Sequence, residues 1–228
     1  MIKEHHIEVR RSARYFTIGD ITPDVNDVWI ACHGYGQLAS DFIKEFEVIE
    51  APRRYIVAPE ALSRYYVSTG PGFHGADSRT GATWMTREDR DADIADYVAY
   101  LDDLYTSVFA RIDRAKCRVT VVGFSQGGAT TSRWLMRGDA RADRMILWGS
   151  LLPSDANLAE AAELSNRLGL TVVYGKRDQF ADGAMISEQE KIMKANGVRY
   201  DMITFDGGHR MDRDTLQRLA QPESVAVT

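Results

Sequence analysis

Cysteine is scarce in this chain, with two in 228 residues, Cys32 and Cys117. Each adjoins an apolar run of the kind that forms a buried strand, where a thiol packs as a small hydrophobe. Both are therefore expected to be reduced, with no disulfide between them. Long apolar runs are lacking as well: no stretch approaches the roughly 20 residues needed to cross a bilayer. The first residues, "MIKEHHIEVRRSARYF", break every short apolar stretch with charge, unlike a secretory leader. The expectation is a cytoplasmic protein without a membrane span. Positive charge has no surplus either. The 28 Lys and Arg face 33 Asp and Glu for a net charge of -5, and the arginines are scattered among acids. That distribution argues against nucleic acid as a partner, because phosphate backbones are met by a clustered basic face. No internal repeat and no interdomain linker is visible.

What remains is the composition of an ordinary folded protein, 44% hydrophobic and 27% charged, at a length that suits one domain over residues 1–228. Six short runs read as strands: "DVWIAC", "RYIVAP", "RVTVVGF", "RMILWGS", "LTVVYG" and "YDMITF". They are apolar at almost every position rather than alternating, which suits strands covered on both faces, and the helical patterns between them imply parallel pairing through crossovers. The fold class is therefore α/β, a mostly parallel central sheet flanked by helices on both faces. Ahead of it, "HHIEVRRSARYFTIG" predicts an antiparallel N-terminal hairpin at the sheet edge.

The clearest helix follows Thr86, with Ile94, Val98, Leu101, Tyr105, Val108 and Ile112 three or four apart on one stripe. Thr86 and Asp89 read as its capping box. The acids Glu88, Asp89, Asp91 and Asp93 complement the dipole of a first turn and are read as a solvated face, not a metal site. Further helices are expected near 38–49, 126–137, 157–167, 187–196 and 212–220. Residues 61–85 break the alternation, with glycines, one proline and several aromatics but no period, so they read as a long connection, of a kind that is often functional.

The chemistry is carried by "GFSQGG". Gly123-x-Ser125-x-Gly127 follows an apolar strand and opens a helical segment, the context of a nucleophile elbow. A serine there occupies a cramped turn, and glycines two before and two after it let strand and helix approach without Cβ clashes. The alternative is a glycine-rich turn in which Ser125 caps the helix. Where a serine stands on such an elbow, the acid and then the histidine follow it along the chain. His5, His6, His33 and His74 precede Ser125, which leaves His209 in "FDGGHR", after the last strand. Asp178 in "YGKRDQF" ends the preceding strand; Asp182 is the fallback, and Asp206 lies on the wrong strand end. Pairing of Asp178 with Lys176 or Arg177 is its structural alternative. Developing charge on a carbonyl oxygen needs two donors. The backbone N–H of Gln126 is one expectation, and that of Tyr35, in His33-Gly34-Tyr35-Gly36 after an early strand, is the other. His33 lies in the wrong order for a base and is read as a structural hydrogen bonder.

Together "HGYG", "GFSQGG", "KRD" and "GGH", in this order, resemble the carboxylesterase/phospholipase branch of the α/β-hydrolase fold, which includes acyl-protein thioesterases. The resemblance runs from about residue 26 to 220. It implies a Ser125, Asp178 and His209 triad with the Tyr35 and Gln126 amides as oxyanion donors, and no metal or organic cofactor. Gln37 departs from the acid common at its place in the family. Trp84 is kept, but Met85 and Thr86 replace the two residues after it, so a fatty-acylated protein substrate is not carried over.

The expected activity is hydrolysis of small or medium carboxylic esters through an acyl-enzyme. A thioesterase or lysophospholipase is the alternative, and a peptidase or acyltransferase the more distant one. The partner is a small-molecule ester, the chain being a monomer or homodimer. Tyr35, Phe73 and Trp84 are the candidates for the wall of the acyl site, with the 61–85 connection lying over it.

Overall fold

The near-continuous apolar runs form strands covered on both faces. In the computed structural model, which describes residues 1–67, 75, 77–180 and 183–221, the strands in chain order are β1 (Tyr15–Ile18), β2 (Asp27–Cys32), β3 (Arg54–Pro59), β4 (Ser63–Tyr66), β5 (Thr80–Thr83), β6 (Arg118–Phe124), β7 (Arg144–Trp148), β8 (Gly169–Gly175) and β9 (Asp201–Phe205). Seven of them make one sheet in the order β1-β3-β2-β6-β7-β8-β9. Its pairings are parallel except at the N-terminal edge, where β1 runs antiparallel to β3 with Tyr15 opposite Pro59. The runs read from sequence as "DVWIAC", "RYIVAP" and "RVTVVGF" coincide with β2, β3 and β6.

Successive side chains point to opposite faces of the sheet. Val28, Ile30 and Cys32 of β2 join one apolar cluster, and Trp29 and Ala31 join the other. The first cluster is closed by α2 (Arg90–Phe109), α3 (Gln126–Arg137), α4 (Leu158–Arg167) and α5 (Gly183–Ala195). The second is closed by α1 (Ala39–Phe42), the 3-10 turns over Ile43–Ile49, and α6 (Arg213–Ala220). The helix expected at 38–49 is thus α only in its first turn.

Packing rather than a cap holds α2. Its buried stripe is Ile94, Tyr97, Leu101, Leu104 and Val108, and each fully buried large apolar side chain contributes about 1.5–3 kcal/mol. The expected capping box is not formed. Asp89 takes a left-handed conformation, φ 46°, with no side-chain cap bond, while the Thr86 hydroxyl engages Glu88 and the Thr86 N–H donates to Asp93 at 3.0 Å. The serine/threonine turn competes for the hydroxyl that a cap would need. The 61–85 connection also differs from its reading: β4 and β5 pair antiparallel within it, Ser63 opposite Thr83.

β2 sits where the sheet order reverses. β3 lies on one side of it and β6 on the other, and in open α/β sheets the crevice outside the carboxyl ends of strands at such a reversal is where ligands bind. The loops after β2 and β6 border that crevice.

Candidate active site

β6 ends at Phe124 and α3 begins at Gln126, so Ser125 alone makes the turn between them. Its φ of 53° and ψ of −118° lie outside the ordinary regions for a side-chain-bearing residue, a conformation that costs on the order of 1–3 kcal/mol and persists only under external constraint. The constraints are visible. The Ser125 N–H donates to the Trp148 carbonyl at 2.9 Å. A Cβ at Gly123 would stand 2.3 Å from the Gly127 oxygen, and one at Gly127 would stand 2.1 Å from the Cys32 oxygen. No other residue type fits either place.

Because Cys32 pairs with Gly123 across β2 and β6, the His33-Gly34-Tyr35-Gly36 loop is laid beside Ser125. A Cβ at Gly34 would reach 3.2 Å from the Ser125 Cβ. Most amides of this loop are engaged: Gly34 N–H donates to Gln37 Oε1 at 2.7 Å, Gly36 N–H to Ala82 O at 2.8 Å, and Gln37 N–H to Gly34 O at 3.2 Å. The Tyr35 and Gln126 N–H groups make no hydrogen bond among the described residues.

His33 is fully buried. Its Nε2 accepts the Ala61 N–H at 3.1 Å, so Nδ1 carries the proton and donates to Gly34 O at 2.8 Å. Burial lowers its pKa, outweighing the Gly34 bond. The ring is neutral and ties the loop to the chain after β3, in line with its structural reading.

Asp178 follows β8 and His209 follows β9, which are neighbours in the sheet. His209 Nδ1 and Asp178 Oδ2 are 2.8 Å apart, and the other carboxylate oxygen accepts the Phe180 N–H at 2.9 Å. The carboxylate side chain is 1% exposed, and by accepting from Nδ1 it fixes the imidazole in the tautomer with the proton there and leaves Nε2 as the other ring nitrogen. The ring lies 4.9 Å from Phe124, the neighbour of Ser125, and 4.8 Å from Phe180. Gly149, at φ 56°, gives it room: a Cβ there would meet the imidazole at 3.0 Å. Arg177 pairs with Asp206 instead of Asp178. Asp182 and Phe73 lie outside the described residues.

Trp84, read from sequence as a candidate for the acyl-site wall, is a buried side chain. It is 3% exposed, its Nε1 donates to His33 O at 2.8 Å, and its ring packs on His33 and Tyr97. It supports the loop from beneath because an indole has one donor to satisfy and a large apolar face to bury. Tyr35, by contrast, is 62% exposed and its ring meets Tyr65.

The supporting roles of two side chains escaped the sequence reading. The Gln126 side chain accepts from Trp84 N–H at 3.1 Å and donates to Met85 O at 2.9 Å, pairing with that backbone as a neighbouring strand would. Phe180, 65% exposed, stands edge-on to His209. Its place two residues after Asp178 was the only signal.

Farther along, Arg133 of α3 is buried and grips Asp155 with two bonds of 2.6 and 3.1 Å, while Arg90 approaches the same carboxylate at 3.0 Å. The Arg133 bond holds the Asp155 carboxyl down at about 2. This pair anchors the segment after β7 that carries Gly149. Among the described residues one group of metal-ligating types converges, Glu4, His6 and Asp89, and all three are exposed. No helix among the described residues is long and apolar enough to cross a membrane.

A parallel sheet with one antiparallel edge, helices on both faces and a strand-Ser-helix elbow at the switch point defines an α/β hydrolase. The chain belongs to the phospholipase/carboxylesterase family, whose sequence model matches residues 16–222. No curated protein matches it. Solved structures similar to it include acyl-protein thioesterase 2 of Zea mays (16% identity, TM-score 0.66, 92% of this chain and 96% of that one). Others are the esterase PE8 (19%, 0.64, 91% and 96%) and a Bacillus cereus carboxylesterase (12%, 0.61, 91% and 92%).

Proposed function

We propose that the protein is a serine hydrolase of small or medium carboxylic esters. The observation that carries the reading is the 2.8 Å Asp178–His209 bond, made at the same sheet edge as Ser125 in its strained turn. His209 Nε2 takes the Ser125 hydroxyl proton as Oγ bonds to the ester carbonyl carbon. The carbonyl electrons move onto oxygen, where the unengaged Tyr35 and Gln126 N–H groups and the α3 N-terminus receive the charge. Collapse expels the alkoxide, which leaves with the proton from His209, and an acyl-Ser125 remains. Water, deprotonated by His209, then attacks the acyl carbon, and as the acyl–Oγ bond breaks the carboxylic acid leaves and His209 returns the proton to Ser125. Asp178 holds the imidazole tautomer and stabilises the imidazolium.

Exposed Tyr35 and Phe180 beside the site supply apolar surface for an acyl or alcohol group. The reading is tested with Ser125→Ala and wild type on aryl esters and thioesters of increasing acyl length, together with a fluorophosphonate probe. Wild type is expected to hydrolyse esters and take one label on Ser125. Undiminished turnover by Ser125→Ala would sink the assignment, and a consistent preference for thioesters would move the activity to thioesterase on the same residues.

A further inference from the structure

The Tyr35 N–H, which makes no hydrogen bond among the described residues, belongs to the same planar peptide unit as the Gly34 carbonyl. In a trans peptide the two point in opposite directions, so whatever holds the carbonyl oxygen aims the N–H. Two donors hold it, the Gln37 N–H at 3.2 Å and His33 Nδ1 at 2.8 Å. Gly34 has no side chain and is the joint of this loop with the most backbone freedom. Its own N–H donates to the Gln37 side-chain oxygen at 2.7 Å. Gln37 therefore grips the peptide units on both sides of Gly34. The turn is tied down further: Ala82 N–H donates to the Gln37 carbonyl at 3.1 Å, and Gly36 N–H donates to the Ala82 carbonyl at 2.8 Å.

The same carboxamide is a close neighbour of the nucleophile. A methyl placed on Gly34 would lie 3.0 Å from Gln37 Oε1 and 3.2 Å from the Ser125 Cβ, so both side chains border one spot beside Gly34. A carboxylate at position 37 would accept the Gly34 N–H at least as well, because an ionised acceptor makes the stronger bond. It would also hold a full negative charge near the place where an ester carbonyl oxygen becomes negative, and like charges at such range repel in a site shielded from water. A carboxamide supplies the acceptor without the charge.

We propose, resting on the hydrolase reading of Ser125, that Gln37 is a positioning residue for the reaction. Its uncharged side-chain oxygen locks Gly34 so that the Tyr35 N–H faces the developing oxyanion. The two bonds accepted by the Gly34 oxygen also polarise that peptide and make its N–H the better donor. The oxyanion exists only in the transition state and the tetrahedral intermediate, so the lock acts on kcat and leaves KM alone.

The experiment is steady-state hydrolysis of an aryl acetate at neutral pH, with thermal unfolding, on the full chain as wild type, Gln37→Glu and Gln37→Met. Gln37→Glu keeps the acceptor and should melt with wild type, its KM within about twofold, while the added charge lowers kcat on the order of tenfold or more. Gln37→Met keeps the length and drops the acceptor. The buried Gly34 N–H then loses its partner, and Tm should fall on the order of 5 °C. Its kcat should fall about tenfold to a hundredfold, short of the loss of a donor itself. In a purely structural role kcat would follow Tm in both variants, and Gln37→Glu separates the two. Should Gln37→Met not fold, Gln37→Glu decides alone. Wild-type kcat in either folded variant, or a raised KM with kcat unchanged, would overturn the positioning role. Wild type that turns over no ester and takes no fluorophosphonate label on Ser125 would instead overturn the hydrolase reading, and the role of Gln37 with it.

Discussion

The side-chain oxygen of Gln126 accepts the backbone N–H of Trp84 at 3.1 Å. The residue whose own amide opens α3 beside Ser125 is therefore also the clamp on the chain leaving β5, and Trp84 in turn holds the His33 carbonyl at 2.8 Å. The two proposed oxyanion donors, Gln126 N–H and Tyr35 N–H, are linked through one indole. Their spacing is set by side chains that touch no substrate.

Gln126→Ala should loosen that link. Two buried backbone groups lose their partners, at about 1–3 kcal/mol each. On the order of a tenfold fall in kcat is expected, less than the hundred- to thousandfold that follows loss of a donor itself. Steady-state kinetics and urea unfolding of the same variant check this. Unchanged kcat with lowered stability would confine Gln126 to a structural role.

Asp178→Asn conserves size and the bond to Phe180, so the fold should persist. An amide N–H aimed at His209 reverses the tautomer, which places the proton on Nε2, where a base needs a lone pair. A loss of kcat of roughly a thousand- to ten-thousandfold with KM little changed is expected. Ester hydrolysis within tenfold of wild type would show that His209 does not depend on this carboxylate.

Gly127→Ala should be poorly tolerated. The added methyl would lie 2.1 Å from the Cys32 oxygen, and both neighbours are backbone, so neither side can yield without moving β2 or α3. A cost of about 3 kcal/mol or more is expected, read as a lowered urea midpoint or as insoluble protein. A variant as stable as wild type would mean that the helix and strand approach less closely than described.

Acid should weaken the anchor at Asp155. Its pKa is depressed from 3.8 to about 2 by the Arg133 bond, and a depressed acid contributes stability that is present above its unfolded pKa. That contribution, roughly 2 kcal/mol, declines as pH falls from about 4 through 2. Urea midpoints of wild type and Asp155→Asn between pH 2 and 6 should converge toward the acid end. Parallel curves would remove Asp155 from the acid transition.

Local composition carried the strand and elbow readings. β2, β3 and β6 were legible because a parallel strand buried on both faces must be apolar at nearly every position, a pattern that loops and surface helices do not produce. Gly123 and Gly127 were legible as a pair for an equally local reason, since a serine turned so sharply needs neighbours without Cβ atoms. The β4-β5 pairing was not legible. Ser63–Tyr66 and Thr80–Thr83 are four residues each and form a two-stranded sheet of their own, and they lack the apolar run that marks the others. The start of α2 was misread because Thr86 and Asp89 have the right spacing for a cap, while the competing turn to Glu88 is worth as much to the same hydroxyl. The burial of Trp84 was not legible because a large aromatic in a glycine-rich stretch reads alike whether it faces a pocket or a carbonyl.

By itself the sequence determined the α/β order of elements, the elbow at Ser125 and the candidates Asp178 and His209, since each rests on patterns confined to a few residues or on order along the chain. Only the tertiary structure decided that Asp178 meets His209 rather than Arg177, that the Trp84 indole is buried against the His33 carbonyl, and that Arg54, Asp27 and Arg118 lie side by side at the amino ends of three strands. Those outcomes depend on strand register and on which buried donor finds which acceptor. Both are properties of the assembled sheet that no single segment encodes.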